Sequence, residues 1–259
     1  MNSLPLSGRR IMVTRALHQA GKLSEALRTL GAESVEVPVL EIRPPATWEP
    51  LDAALRQLDQ YDWLLLTSAN TVQTLSRRAA ELGIPLRQKV SLKVAAIGKG
   101  TAMAASAAGF NVTIVPVAYV AESLLQQLLP LTIHQRILLA RASQARDMIP
   151  DALREAGAQI DVVDAYQNLL PEAAPAQLRQ ALAAGIDAAT FTSSSCVTHL
   201  AEAAWGAGVA WPLAGVLAVS IGPITSQALR EEAWPPAAEA NPSDIPGLVE
   251  ALRLLLGRS

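Results

Sequence analysis

The chain has 259 residues, enough for two domains that each bury a core of their own. A composition that is 51% hydrophobic and 17% charged excludes a disordered chain, and a formal net charge of −2 offers no basic surface to nucleic acid. A lone cysteine, Cys196, excludes an intramolecular disulfide. The segment from Met1 to Gly8 has no apolar signal-peptide core, and no apolar run approaches the ~18 residues that span a bilayer. The expectation is a cytoplasmic protein with no membrane partner.

Short apolar runs alternate with amphipathic stretches, the pattern of βαβ units around a parallel sheet. In chain order the first half predicts a strand near 10–14, a helix over 19–30, a strand near 34–40 and a helix over 50–59. A strand near 62–67, a helix over 70–82, a strand near 93–97 and a helix over 100–108 follow. A strand near 111–115 and a helix over 121–129 complete that half. The second half predicts strands near 136–140, 159–165, 187–192, 215–221 and 236–239. Its helices are expected over 145–156, 175–184, 195–204, 223–232 and 244–255. Gly31, Gly83, Gly109, Gly157 and Gly185 stand where helices are expected to stop. The expected class is α/β, with two flavodoxin-like domains of five parallel strands each.

The second half repeats the first. Arg10-Ile11-Met12-Val13-Thr14-Arg15 returns as Arg136-Ile137-Leu138-Leu139-Ala140-Arg141, Asp62 to Ser68 returns as Asp187 to Ser193, and Ala96-Ile97-Gly98 returns as Ser220-Ile221-Gly222. The offset drifts only from 126 (10 to 136) through 125 (62 to 187) to 124 (98 to 222). A tandem cut would fall near 130. The Pro-rich segments lie elsewhere, at Glu41 to Pro50 and at Tyr166 to Pro175, each directly after the second strand of its half. Proline disfavours helix in itself and in the residue before it, so both read as extended crossovers. The favoured division is therefore crossed, with one domain built from 1–41 and 169–259 and the other from 42–168. Two such domains facing each other would make a cleft.

Chemistry-bearing residues gather at the carboxyl ends of strands, where open α/β sheets bind ligands. Gly98-Lys99-Gly100-Thr101 looks like a phosphate loop and fails both common patterns. Gly-x-Gly-x-x-Gly would need glycine where Met103 stands, and Lys99 precedes Gly100 rather than following the motif's last glycine. It still presents helix-start N–H groups to an anion, as do Thr67-Ser68-Ala69-Asn70, Thr192-Ser193-Ser194 and Gly222-Pro223-Ile224-Thr225. Helix capping uses the same residue types. Four such runs in repeated positions point beyond capping, to a ligand carrying several carboxylates. Thr14 and Arg15, and Arg141 followed by Ser143, end the first strand of each half and join the candidate binding set. Each arginine can pair a carboxylate or be a solvated surface charge. His18, His134 and His199 lack metal-ligand spacing, and no Gly-x-Ser-x-Gly elbow marks a hydrolase. Tyr166, in a chain only 4% aromatic, opens the second crossover. Its position leaves a packing role and a site role equally open.

Taken in order and spacing, Leu65 to Asn70, Ala96 to Thr101, Tyr166, Phe191 to Ser194 and Ile221 to Thr225 resemble the uroporphyrinogen-III synthase family over essentially the full length. The resemblance implies two flavodoxin-like domains joined by two crossover segments and a cofactor-free, metal-free monomer. The implied substrate is the linear tetrapyrrole hydroxymethylbilane, handed over from the preceding synthase. The enzyme would close it to uroporphyrinogen III with loss of water and inversion of ring D, through a spiro-pyrrolenine. Tyr166 would then be the catalytic residue that assists departure of the hydroxyl. Thr14, Arg15, Thr67, Ser68, Asn70, Gly98, Lys99, Thr101, Arg141, Ser143, Thr192, Ser193, Ser194, Gly222, Pro223 and Thr225 would hold the substrate. Asn70 stands where some members carry arginine. Two other classes stay open at this stage. One is a two-domain polycarboxylate-binding protein without catalysis. The other is a nucleotide enzyme or flavin carrier, which would need the phosphate loop that is missing.

Overall fold

In the computed structural model, residues 4–86, 92–116, 121–145 and 147–257 are described. The strands are β1 (Arg10–Val13), β2 (Glu33–Glu36), β3 (Glu41–Arg43), β4 (Trp63–Leu66), β5 (Lys93–Ala96), β6 (Val112–Ile114), β7 (Arg136–Ala142), β8 (Gln159–Leu169), β9 (Ala188–Phe191), β10 (Leu217–Ser220) and β11 (Ala238–Glu239). The helices are α1 (Leu17–Thr29), α2 (Glu49–Arg56), α3 (Ala69–Glu81), α4 (Lys99–Ala107), α5 (Ala121–Leu128), α6 (Met148–Glu155), α7 (Ala174–Ala183), α8 (Ser194–Ala207), α9 (Pro223–Glu231) and α10 (Ile245–Leu256). None is long and apolar enough to cross a membrane.

The strands form two sheets, ordered β11-β10-β9-β1-β2 and β3-β8-β7-β4-β5-β6. β1 runs parallel to both β2 and β9, and β4 runs parallel to both β5 and β7. Each sheet thus takes two strands from one half of the sequence and three from the other, in the doubly wound order with its switch point beside the first strand. The second sheet adds β3 at its edge. Contacts divide the chain into unit 1, residues 1–42 and 169–259, and unit 2, residues 43–168.

Register is fixed by a repeated polar contact at the amino ends of the strands. The Arg10 N–H donates to the Asp187 carboxylate at 2.8 Å, and the Asp187 N–H donates to the Arg10 carbonyl at 2.9 Å. In the other sheet the Arg136 N–H donates to the Asp62 carboxylate at 2.8 Å, and the Asp62 N–H to the Arg136 carbonyl at 2.8 Å. Both aspartates and both arginines are repeat mates.

Strands in such a sheet are covered on both faces and read as continuous apolar runs. Trp63 to Leu66 are all buried. Alternation sends Ile11 and Val13 to the α1 and α10 side, with Leu23, Leu27, Leu248 and Leu252. Met12 goes to the opposite side, with Phe191, Leu178 of α7, Leu200 of α8 and Leu229 of α9. In unit 2, Trp63, Leu65, Ile137 and Leu139 pack on Leu124 and Leu128 of α5 and on Leu153 of α6.

The structure departs from the expected elements at several places: β3 makes a sixth strand of the expected crossover, and the helix expected over 50–59 ends at Arg56. The strand expected over 34–40 stops at Glu36, although the Val37 and Val39 N–H groups still donate to Val13 and Thr14 carbonyls. The second crossover, expected from Tyr166, begins later, because β8 holds its ladder to Leu169 and proline's restriction reaches only the residue before Pro171. The helix expected over 145–156 starts at Met148; residue 146 lies outside the described residues. The five glycines expected to end helices all have positive φ, the conformation a C-terminal cap requires.

A two-bonded side-chain ion pair within unit 2 joins α2 to α3. Arg78 meets Asp52 through two bonds of 2.7 Å, with its guanidinium 4.8 Å from the centre of the Trp48 ring. These hydrogen bonds hold the Asp52 carboxyl below the ordinary range. A depressed carboxyl contributes stability that is complete above its unfolded value of about 3.9 and is lost as pH falls through the lower folded value. Asp52→Asn should therefore be less stable than wild type at pH 7, and the gap should close as pH falls below about 4. Urea midpoints at pH 7 and pH 3 check this; a gap of the same size at both would mean that the pair is not its source.

Candidate functional site

In unit 2 the carboxyl ends of β4, β5, β7 and β8 bring most of the expected residues together. Ser68 follows β4 in extended conformation and caps α3, its Oγ accepting the Thr71 N–H at 3.1 Å. The same Oγ lies 3.0 Å from the Tyr166 hydroxyl. Tyr166 comes from β8, two strands away across β7, opposite Ala142 at the end of that strand. Neighbouring strands are ~4.8 Å apart, so a side chain must cross about twice that distance. The small Ala142 leaves the end of β7 open for the phenol to make that crossing. Tyr166 is only 5% exposed. Its hydroxyl has found a side chain from the candidate set rather than a backbone partner.

Around this pair, Thr67 and Asn70 are half-buried. The Ser143 N–H donates to the Tyr166 carbonyl at 2.9 Å, and the Ser143 Oγ is buried without a partner among the described residues. Gly98 caps α4 at φ 86°, a left-handed conformation that favours glycine. Lys99 is exposed, and Thr101 is buried. Arg141 is not the solvated charge that sequence allows for. Its side chain is 10% exposed and contacts Asp147 at 2.5 Å.

Unit 1 repeats the arrangement with changes. Ser193 caps α8 as Ser68 caps α3, its Oγ accepting the Cys196 N–H at 3.2 Å and donating to the Cys196 sulfur at 3.3 Å. Thr192 is half-buried and lies 3.9 Å from the same sulfur; Ser194, the first residue of α8, is also half-buried. Gly222 is extended, and a Cβ there would lie 2.7 Å from the Ser243 Oγ. Pro223 opens α9, where its missing N–H costs nothing. Thr14 is fully buried and donates its hydroxyl to the Thr190 carbonyl at 2.7 Å, while Thr190 donates to Met12 at 3.0 Å. The Thr14 side chain is thus a tie between β1 and β9. Arg15, next in line, is half-buried, and burial holds its guanidinium below the ordinary value while the nearby Cys196 opposes that shift.

Thr101 and Thr225 are 6% and 4% exposed, so the loops that carry them offer backbone N–H groups more than hydroxyls. Asp and Glu are normally favoured in a first helical turn. α1, α3, α4, α8 and α9 carry none there, whereas α2 has Glu49 and Asp52, α5 has Glu122 and α6 has Asp151. α7 and α10 also lack one. Helix starts free of carboxylates suit a polyanionic ligand.

Sequence reasoning missed the Ser68–Tyr166 pairing and the apolar side chains at these helix starts. Leu17, the first residue of α1, is 67% exposed, and Ile224, the second of α9, is 52% exposed. The available signal was an apolar residue directly after a strand-end loop, where polar residues are the rule. A concavity of about 390 Å³ in unit 2 lies at the opposite, amino end of β7 and β8, beside Tyr61, Arg136 and Asp161. Burial, and a hydrogen bond to Asp161, raise the Tyr61 phenol to about 12. It shares no residue with the candidate set, which the chemistry locates better than the hollow does.

Comparison with known proteins follows the same lines. The family model described as uroporphyrinogen-III synthase HemD matches residues 21–250. A uroporphyrinogen-III synthase from Synechococcus elongatus is 34% identical over 261 residues, covering 97% of each chain. A crystal structure of a mutant uroporphyrinogen III synthase from Thermus thermophilus superposes with a TM-score of 0.70 at 23% identity, covering 96% of this chain and 99% of that one. A uroporphyrinogen-III synthetase from Helicobacter pylori 26695 gives 0.62 at 20% identity, covering 95% and 99%. These two structures share the fold.

The two serine caps allow a matched test of the tyrosine contact. Ser193→Ala should cost about 1 kcal/mol, the usual value of an N-cap. Ser68→Ala should cost more, because it also leaves the Tyr166 hydroxyl buried without its partner, which adds about 1–3 kcal/mol. Urea denaturation of both variants checks the difference. The additional Tyr166→Phe change should then cost little in the Ser68→Ala background; if it costs as much there as in wild type, the two side chains are not coupled.

Proposed function

The chain belongs to the uroporphyrinogen-III synthase family, and we propose that it closes hydroxymethylbilane to uroporphyrinogen III with loss of water and inversion of ring D. The enzyme is a lyase of porphyrin biosynthesis. A polycarboxylate-binding protein without catalysis is not favoured by these relatives.

The observation that carries the mechanism to residues is the 3.0 Å contact between Ser68 Oγ and the Tyr166 hydroxyl. A phenolic O–H is a hydrogen-bond donor and can act as a general acid. Ser68 Oγ already accepts a backbone N–H, so its own proton can point to the Tyr166 oxygen. The Tyr166 proton is then free for the departing hydroxyl of the bilane. The C–O bond breaks, water leaves, and the substrate becomes an azafulvene cation, while the phenolate that forms keeps a hydrogen bond from Ser68. Ring D attacks through its already substituted carbon, giving the spiro-pyrrolenine, which reopens and closes with the ring inverted. The closing step releases a proton, which restores the phenol. Inversion needs the flexible chain held with that substituted carbon nearest the cation, which is catalysis by positioning.

The substrate carries eight carboxylates, and the proposed contacts are the acid-free helix starts with Thr67, Ser68, Asn70, Gly98, Lys99 and Thr101 in unit 2, and Thr192, Ser193, Ser194, Gly222, Pro223 and Thr225 in unit 1. Arg15 and Ser143 join them; Arg141 acts through the chain that follows it, which it holds by Asp147, and Thr14 serves by fixing where Arg15 starts. The domains of the working enzyme are proposed as 1–41 with 169–259 and as 42–168. We place the enzyme in the cytoplasm as a monomer that takes the bilane directly from the synthase before it, since free bilane closes spontaneously to isomer I.

Bilane generated in situ, with this protein added, should give predominantly isomer III after oxidation and separation of the products; unchanged isomer I from folded protein would refute the reading. Tyr166→Phe should lower kcat by roughly 10²-fold, the low end of general acid assistance. Thr101→Ala and Thr225→Ala should each raise KM modestly, since binding is spread over many contacts. Wild-type turnover in folded Tyr166→Phe would leave the tyrosine a packing residue.

A further inference from the structure

Both halves of the sequence place an arginine at the end of their first strand, and the two copies meet opposite surroundings. Arg141 is closed off by Asp147 at 2.5 Å. Arg15 has no carboxylate partner among the described residues, and that is what sets it apart, since a buried Nε without an acceptor also occurs at Arg10. The other described arginines that are not fully exposed each pair with a carboxylate: Arg9 with Asp187, Arg10 with Glu33, Arg78 with Asp52, Arg136 with Asp161 and Arg253 with Glu250, besides Arg141. A cation drawn out of water without a counter-charge is unfavourable, and a bound anion would supply what the fold withholds.

The surroundings select the kind of anion. Two residues after Arg15, Leu17 projects from the first turn of α1, 67% exposed. Ile224, 52% exposed, starts α9 after β10, and β10 and β1 are the two strands that flank β9. A free phosphate or a sugar gains little from such side chains. A carboxylate carried on a flat, apolar ring uses both features.

We propose that Arg15 is the carboxylate anchor of unit 1, taking an acetate or propionate group of the substrate while Leu17 and Ile224 lie against its pyrrole carbons, and that Arg141 is a positioning residue that holds the start of α6 through Asp147. This deepens the synthase reading and rests on it. The two copies of the repeat thus divide the work of the strand-end arginine: one binds and the other builds.

The experiment uses the full chain and three readouts: isomer III formation from bilane, affinity for the oxidised octacarboxylate product uroporphyrin III, and Tm. Arg15→Met should raise KM and weaken uroporphyrin III binding by roughly 10-fold or more, the loss of a charge-assisted contact, with kcat nearly unchanged. Its Tm should equal or exceed that of wild type, because an unpaired, partly desolvated cation is removed. Arg15→Lys should restore part of the affinity. Leu17→Ser should weaken binding in the same direction and leave Tm unchanged. Arg141→Met should do the reverse, lowering Tm by a few degrees with a smaller change in KM. Wild-type KM and product affinity in Arg15→Met would overturn the proposal, as would a Tm loss in that variant matching the loss in Arg141→Met. Failure of the wild-type protein to make isomer III would sink the synthase reading, while uroporphyrin III binding would still decide the role of Arg15.

Discussion

Everything at the candidate site depends on where the strands end, and that is set at their other ends. Asp187 accepts the Arg10 N–H, and Asp62 accepts the Arg136 N–H. A carboxylate that accepts a backbone N–H makes a charge-assisted bond at a single residue, so it tolerates no slip. Slipping a strand by one residue would turn its whole apolar set to the other face. With β1 locked against β9 and β7 against β4, the carboxyl ends of the four strands lie level within their own sheets. The loops that leave them enter helices from one side of each sheet. The partners of each lock come from opposite halves of the sequence. The lock that aligns a strand of one repeat is thus supplied by the other repeat, and neither half can close its sheet alone.

That alignment explains why this chain can address a polyanion with little positive charge. The net charge is −2, and the candidate loops hold few cations. What they hold is helix starts, whose N–H groups lack intrahelical partners and carry partial positive charge. Leaving Asp and Glu out of those first turns removes the repulsion that a carboxylate ligand would meet. Ser68 and Ser193 satisfy one N–H in each cap and leave others to a ligand. On the proposed reading, recognition is spread over many weak donors, which suits a substrate whose carboxylates are distributed along a flexible chain that must first be folded and then released.

The legibility of the sequence follows from the range of the interactions involved. Strand and helix positions, and with them the α/β class, are set by local periodicity and glycine stops, and the structure keeps them within a few residues. The end of β8 is different. A polar, aromatic run ahead of Pro171 reads as crossover, yet β8 continues to Leu169, paired with β7 as far as Tyr166 after a shift at Arg141 and Ala142, because strand length is decided by the neighbouring strands. The serine caps are legible as caps from residue type alone. That Ser68 also meets Tyr166, 98 residues away, is not, since it requires the strand order and the small residue at the end of β7. Arg15 and Arg141 look alike in sequence. Asp147 beside Arg141, its deeper burial, and the lack of any carboxylate among the described residues beside Arg15 separate them.

A duplicated fold invites the assumption that its halves do equal work, and the side chains argue otherwise. Unit 2 carries the phenol, and its strand-end arginine is spent on the loop that follows. Among the described residues, unit 1 has no tyrosine at its matching serine; there the cap faces a buried thiol, and the arginine stays unneutralised. A group that must give up a proton is best held in a fixed, well-satisfied setting, because its reach to the reacting atom decides its use. A group that must only hold a charged handle can bear some strain while empty, since the ligand relieves it on arrival. On the proposed roles, one repeated backbone serves both demands, with proton transfer falling to unit 2 and anchoring to unit 1.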